Sequence, residues 1–63
     1  MEELNKLRDL MDQIYVDGKK FYEKGFITAG HRVRKNSNEI KKLIPLMRKS
    51  ILEEIKKMNG KNE

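Results

Sequence analysis

The feature that most constrains this chain is the spacing of its apolar residues, which recur three or four positions apart along nearly the whole sequence. In the first third these positions are Leu4, Leu7, Met11, Ile14 and Phe21, with Gly18 in the one missing place. This spacing is typical of a helix that packs one apolar stripe against another helix. We predict a first helix at about residues 3 to 24, with an apolar stripe widened by Leu10, Tyr15 and Tyr22.

Gly18 leaves two interpretations open. The first interpretation is a bend at Gly18, because glycine inside a helix costs about 1 kcal/mol relative to alanine. The second is close approach of a partner helix, which a small residue on the apolar stripe permits.

A turn is predicted directly after the first helix. Gly25 follows Lys24, and glycine ends helices readily because it adopts the left-handed conformation without strain. We expect Phe26 and Ile27 to fold onto the apolar stripe and the Thr28 hydroxyl to cap the next helix. A connection this short predicts an antiparallel hairpin.

A second helix is predicted from about residue 28 to 58. Its apolar positions again lie three, four or seven apart, and they are Val33, Ile40, Ile44, Met47, Ile51, Ile55 and Met58. A capping-box pattern at residues 36 to 39 makes a break near Asn36 an alternative. Pro45 predicts a kink with the proline on the outer side, because its ring removes a donor and crowds the preceding turn. Asn59 and Gly60 are expected to end the helix.

The two predicted helices differ in length, at about 33 and 46 Å for a rise of 1.5 Å per residue. The second helix therefore extends past the first, and its last turns carry apolar residues that the same chain cannot cover: Met47, Ile51, Leu52, Ile55 and Met58. A chain of 63 residues without cysteine lacks the usual covalent support of a small scaffold. We predict one all-α domain over residues 1–63, an antiparallel hairpin that forms a homodimeric four-helix bundle.

Pairs of basic residues recur along the second helix at intervals of seven, seven and eight positions. The pairs are Arg34 and Lys35, Lys41 and Lys42, Arg48 and Lys49, and Lys56 and Lys57. At about 100° per residue they stay on one side of the helix, away from the apolar positions. Residues 25 to 63 carry ten basic and four acidic side chains, whereas residues 1 to 24 carry five basic and six acidic ones. The whole positive excess thus lies in the second half.

Lysines and arginines without acidic neighbours on the same helix side indicate a binding surface rather than internal ion pairs. Only Glu53 stands four positions before a basic residue of these pairs, Lys57. We predict sequence-independent binding to nucleic acid through phosphates. A face that only solubilises the helix and contact with an anionic membrane surface are the alternatives. The lack of tryptophan makes the membrane less attractive.

Catalysis is not predicted. The chain has one histidine, His31, and no cysteine, and its acidic residues are not paired in a pocket-forming sequence. His31 is expected on an exposed helix side, and the glycines at 25 and 30 lack the lysine and spacing of a phosphate loop. We predict no metal, cofactor or small-molecule substrate. No apolar run approaches the length of a membrane span, so a cytoplasmic protein is expected.

Several motifs of the second half resemble one family. The segments are Tyr22-Glu23-Lys24-Gly25, then Ala29-Gly30-His31-Arg32-Val33-Arg34-Lys35, then Ser37, Glu39-Ile40, Lys42-Leu43 and Arg48-Lys49. They are similar to the histone-like nucleoproteins of chlamydiae and Bacteroidetes, small basic proteins that compact bacterial chromosomes. The resemblance implies a location on the nucleoid and DNA-facing roles for Arg32, Arg34, Lys35, Lys42, Arg48 and Lys49. Many members continue into a long lysine- and alanine-rich tail, whereas this sequence stops at Glu63.

The sequence therefore predicts two alternative functions. The first is a small nucleoid-associated protein that binds DNA without sequence specificity through the basic side of the second helix. The second is a protein-interaction module in which the apolar end of that helix docks a partner and the charge is incidental.

Overall fold

The computed structural model describes residues 2–58, which form two α-helices. Helix α1 spans Glu2–Lys24 and helix α2 spans Ile27–Met58, with Gly25 and Phe26 between them. The all-helical prediction is confirmed for these residues, and α1 ends at the predicted residue. The expected helix end at Asn59 and Gly60 lies outside the described residues.

The turn forms around Gly25, which has a φ of 72°. The Gly25 amide donates to the Phe21 carbonyl at 2.9 Å, and the Phe26 amide donates to the Lys20 carbonyl at 3.4 Å. The first bond is that of the αL motif, in which the amide of a left-handed glycine just after a helix donates to the carbonyl four residues earlier and satisfies one of the last carbonyls of the helix. The prediction that glycine at 25 ends α1 is confirmed.

The start of α2 differs from the prediction. The amides of Ala29 and Gly30 donate to the Phe26 carbonyl at 3.1 and 3.3 Å, so the helix begins directly after the turn. Thr28 therefore lies within the first helical turn and is not the cap. Phe26 and Ile27 are 52% and 64% exposed rather than folded onto the apolar stripe. The turn at Gly25 itself positions the Phe26 carbonyl as the first acceptor of α2.

Helix α2 runs without interruption through both of its unusual segments. The alternative break near Asn36 is absent, and the Asn36 side chain donates to the Gln13 side chain of α1 at 3.2 Å instead of capping its own helix. Pro45 lies inside the helix on an exposed position. A bend at Pro45 stays a prediction.

Two pairs of side chains fix the antiparallel register of the hairpin. Arg32 contacts Asp17, and Asn36 contacts Gln13, so the two residue numbers of each pair add up to 49. Extended to the start of α1, this register places Glu2 opposite residue 47. Residues 48–58 therefore have no part of α1 opposite them, and we call this segment the overhang.

The contact surface between the two helices, which we call the seam, follows a different line of residues along α1 from the predicted apolar stripe. The buried residues of α1 are Leu10 and Asp17, whereas Leu4 and Met11 are 49% and 54% exposed. The predicted positions Leu7, Ile14 and Phe21 are half-buried and belong to both lines. We predicted the line through Leu4 and Met11 because the other line contains the carboxylate of Asp17, which we did not expect between the helices.

On α2 the buried residues are Ala29, fully buried, and Leu43. Half-buried around them lie Val33, Ile40, Ile44 and Met47. In the overhang Ile51, Ile55 and Met58 are 42%, 55% and 50% exposed. The overhang expected from the helix lengths is present in the single chain, although Met47 still reaches the seam.

Close approach of the helices occurs at Gly30 rather than at Gly18. A Cβ atom at Gly30 would lie 2.7 Å from Cδ1 of the Phe21 ring, whereas a Cβ atom at Gly18 would meet nothing within 4 Å. Helix α1 also continues through Gly18. Gly30 thus allows the Phe21 ring to lie directly on the backbone of α2 near the turn.

Candidate nucleic-acid interface

The four basic pairs of α2 form one exposed surface, which we call the basic stripe. All eight of its side chains are exposed: Arg34, Lys35, Lys41, Lys42, Arg48, Lys49, Lys56 and Lys57. At about 100° per residue, the centre of the stripe lies roughly 180° from the seam residues Ala29 and Met47. The packing of α2 against α1 therefore directs these side chains away from the hairpin.

The basic stripe is almost free of internal ion pairs. Within residues 2–58 the structure contains two salt bridges, Asp17 with Arg32 and Glu54 with Lys57, and only Lys57 belongs to the stripe. The partner of Lys57 is Glu54, at 3.6 Å, rather than the predicted Glu53, since the side chains three apart meet on this helix side. Seven charges of the stripe are left to solvent or to a ligand.

The basic stripe is long compared with a small-molecule site. Successive pairs rise about 10 Å along the axis, and the distance from Arg34 to Lys57 is about 35 Å at 1.5 Å per residue. Such a row matches an extended polyanion, because duplex DNA carries one charge per about 1.7 Å of its axis. A single phosphate group would contact only one of the four pairs.

Arg32 is engaged within the hairpin. Its Nε donates to Oδ2 of Asp17 at 3.1 Å and its Nη2 donates to Oδ1 at 3.0 Å, the paired geometry in which guanidinium binds carboxylate well. The hydrogen bond from Arg32 holds the pKa of Asp17 below its ordinary value, and the same bond raises the pKa of Arg32. The resemblance implied a DNA-facing role for Arg32, but in the structure its charge is matched by α1.

Asp17 is the buried charged residue that the sequence reasoning missed. It is 7% exposed, the one charged side chain buried among residues 2–58. The available signal was its position seven residues after Leu10 and between Ile14 and Phe21, which places it on the seam side of α1. Its partner stands fifteen positions away in the other helix, so no local charge pattern indicates the pair.

The remaining sequence-level candidates lie as follows. His31 is exposed beside the turn, as predicted. In the part of the chain that the structure describes, no group of three histidine, cysteine or acidic side chains lies close enough to hold a metal ion. Neither described helix combines the length and the apolar character that crossing a membrane requires. The assignment of individual DNA-binding residues stays a prediction.

Taken together, a two-helix hairpin and a solvent-facing row of basic pairs define a small basic all-α protein with an extended cationic surface. The model of one protein family, described as histone H1-like protein Hc1, matches residues 1–57. The chain therefore belongs to this family, and the resemblance noted in the sequence motifs is confirmed. No curated protein and no solved structure matches the chain.

Proposed function

We propose that this protein binds DNA without sequence specificity through the basic stripe of α2 and acts as a nucleoid-associated protein in the bacterial cytoplasm. The observation that carries the proposal is the stripe itself, which is exposed, extended and almost free of internal ion pairs. Membership of the histone H1-like family supports the same function. Packaging of DNA requires no catalysis, in keeping with a chain for which we predict no enzymatic activity.

The binding free energy comes from release of counterions. Each phosphate that a lysine or arginine neutralises frees condensed cation, so the logarithm of the affinity falls with the logarithm of salt concentration by about 0.9 per contact. Sequence readout needs side chains fixed against base edges in a groove. The exposed side chains of the stripe are not held in this way, so two unrelated duplexes should bind alike.

The contact surface that we propose comprises the eight residues of the basic stripe and excludes Arg32. Its guanidinium already donates two hydrogen bonds to Asp17, and a phosphate would have to displace a carboxylate that is nearly buried. Arg32 is assigned to holding α1 and α2 in register. The stripe then begins at Arg34, two residues further from the hairpin turn.

We also propose that the protein is a homodimer. The overhang exposes Ile51, Leu52, Ile55 and Met58 at 42% to 55%, and a second copy would cover them in a four-helix bundle. Two copies would present two basic stripes, which increases avidity for a long polyanion without any new contact.

A salt titration tests the proposed function. Binding to two fluorescent duplexes of unrelated sequence is measured by anisotropy between about 50 and 200 mM salt. We expect equal affinities within error and a steep linear decrease in log K with log salt. The second function, a protein-interaction module, rests on the exposed overhang alone. Absence of binding at the lowest salt concentration, with native helicity retained, would reject DNA binding and leave that module as the function.

A further inference from the structure

One broad face of the hairpin is apolar on both helices. On α1 it comprises the exposed side chains of Leu4, Met11, Tyr15 and Tyr22, which lie within roughly 40° of one another at 100° per residue. On α2 it comprises Ile51 and Ile55. On each helix, these apolar residues are reached from the seam by turning about the helix axis in the direction of increasing residue angle. Because the two helices are antiparallel, turning in that direction leads to the same face of the hairpin on both. The opposite face carries the polar contacts of Asp17 and Gln13.

Near the turn this apolar face contains a groove of about 310 Å³ between the two helices. Its lining is largely apolar and includes Phe21, Tyr22, Ile27 and Val33, with Gly18 and Gly30 as its small residues. The groove and the overhang stand at opposite ends of the hairpin, so the overhang of the same chain cannot fill it.

We propose that the overhang of one copy docks into the turn groove of a second copy, and the reverse, about a two-fold axis perpendicular to the helices. This inference rests on the homodimer proposed above and specifies how its two copies are arranged. Ile55 would lie at the height of the partner's Tyr22, because the antiparallel arrangement brings the end of one α2 to the turn of the other hairpin.

The area of the face fits a second copy. The hairpin measures 52 × 18 × 15 Å, and because the overhang is only one helix wide, the broad face is smaller than the full rectangle, on the order of the ~800 Å² per partner of stable interfaces.

The arrangement has a consequence for DNA. Two apolar faces packed about a perpendicular axis place the two α2 helices side by side and antiparallel. Both basic stripes then run along the same edge of the bundle. A parallel arrangement would place them on opposite edges, where they would contact two duplexes. The proposed dimer presents one doubled basic surface to one duplex.

The first test compares two exposed apolar residues of α2. Ile55 is 55% exposed and belongs to the apolar face, while Leu46 is 60% exposed and points roughly 180° away. By sedimentation at micromolar concentration we expect Ile55→Glu to weaken the dimer tenfold or more and Leu46→Glu to leave it unchanged. Both residues are exposed in the single chain, so helicity should persist in both variants. A monomeric unsubstituted chain, or equal effects of the two variants, would overturn the inference.

The second test fixes the orientation of the copies and uses the absence of natural cysteine from the sequence. Chains with Tyr22→Cys and with Ile55→Cys are mixed and oxidised, and a mixed disulfide dimer is expected to dominate. Thr28→Cys mixed with Ile55→Cys is the control, because Thr28 is exposed at the same end but on the other face. Preferential pairing of Ile55→Cys with itself, or equal pairing with Thr28→Cys, would contradict the arrangement. Neither result depends on DNA, whose binding is measured separately.

Discussion

Near the turn, α2 is held tightly by α1: Ala29 is fully buried, Arg32 donates two hydrogen bonds to Asp17, and the Phe21 ring lies against Gly30. In the overhang every described residue from Ile51 to Met58 is exposed. Both regions nevertheless carry apolar residues at helical spacing. The same sequence pattern thus serves packing within the chain in one region and is left without a partner in the other.

The basic pairs do not follow this division. They continue at nearly constant spacing from Arg34, where α1 lies opposite, to Lys57, where it does not. If the charges served the packing of the hairpin, they would change where the packing ends. Their continuity across both regions is what we expect of a surface that contacts a long ligand outside the hairpin.

The largest expected effect contrasts one leucine from each region. Leu43 is 6% exposed on the seam, and Leu52 is 52% exposed in the overhang. Replacing a buried leucine by alanine costs about 2 to 5 kcal/mol, while exposed sites change stability by about 0.5 kcal/mol or less. We therefore expect Leu43→Ala to unfold much of the dilute chain and Leu52→Ala to retain helicity, as measured by circular dichroism. Similar losses of helicity in both variants would contradict the difference in packing between the seam and the overhang.

A smaller effect is expected at the ion pair near the turn. Asp17→Asn removes the carboxylate that Arg32 binds, so the thermal midpoint at pH 7 should fall. The exposed pair of the overhang serves as the control, since Glu54→Gln should change stability by at most about 0.5 kcal/mol. Thermal melts of the three proteins at one concentration provide the comparison. A larger loss in Glu54→Gln than in Asp17→Asn would contradict the structural role assigned to Arg32.

The same pair predicts a dependence on pH with a definite sign. The pKa of Asp17 is lowered in the folded chain from its ordinary value of 3.8, chiefly by the hydrogen bond from Arg32. Its contribution to stability is therefore present above that value and is lost as the pH falls through the lowered pKa. The difference in midpoint between the unsubstituted chain and Asp17→Asn should shrink over that acidic range. A difference that stays constant at acidic pH would mean that the carboxylate is not the cause.

Most of the fold follows from local signals. The spacing of apolar residues predicts both helices, and Gly25 predicts the turn, because each signal depends on residues that are close in sequence. Which of two apolar lines on α1 forms the seam does not follow, since Leu10 and Met11 are equally apolar and only the tertiary structure distinguishes them.

The site was predictable to a similar degree. Exposure of the basic stripe follows from its angular distance from the apolar positions. The engagement of Arg32 does not, because it depends on a single carboxylate fifteen positions away in the other helix. The DNA surface that we propose therefore omits one arginine, Arg32, that the motif resemblance includes, and this difference stays a prediction.

The most direct test of the central claim reverses charge on the stripe and compares it with an equal reversal elsewhere. One variant carries Arg34→Glu, Lys41→Glu and Arg48→Glu, and the matched control carries Lys6→Glu, Arg8→Glu and Lys19→Glu on exposed positions of α1. Both lose the same net charge, so a difference between them reports location. DNA affinity is measured at low salt, with helicity checked in parallel. We predict that the stripe variant loses binding while the control retains most of it, and equal affinities of the two variants would contradict the account.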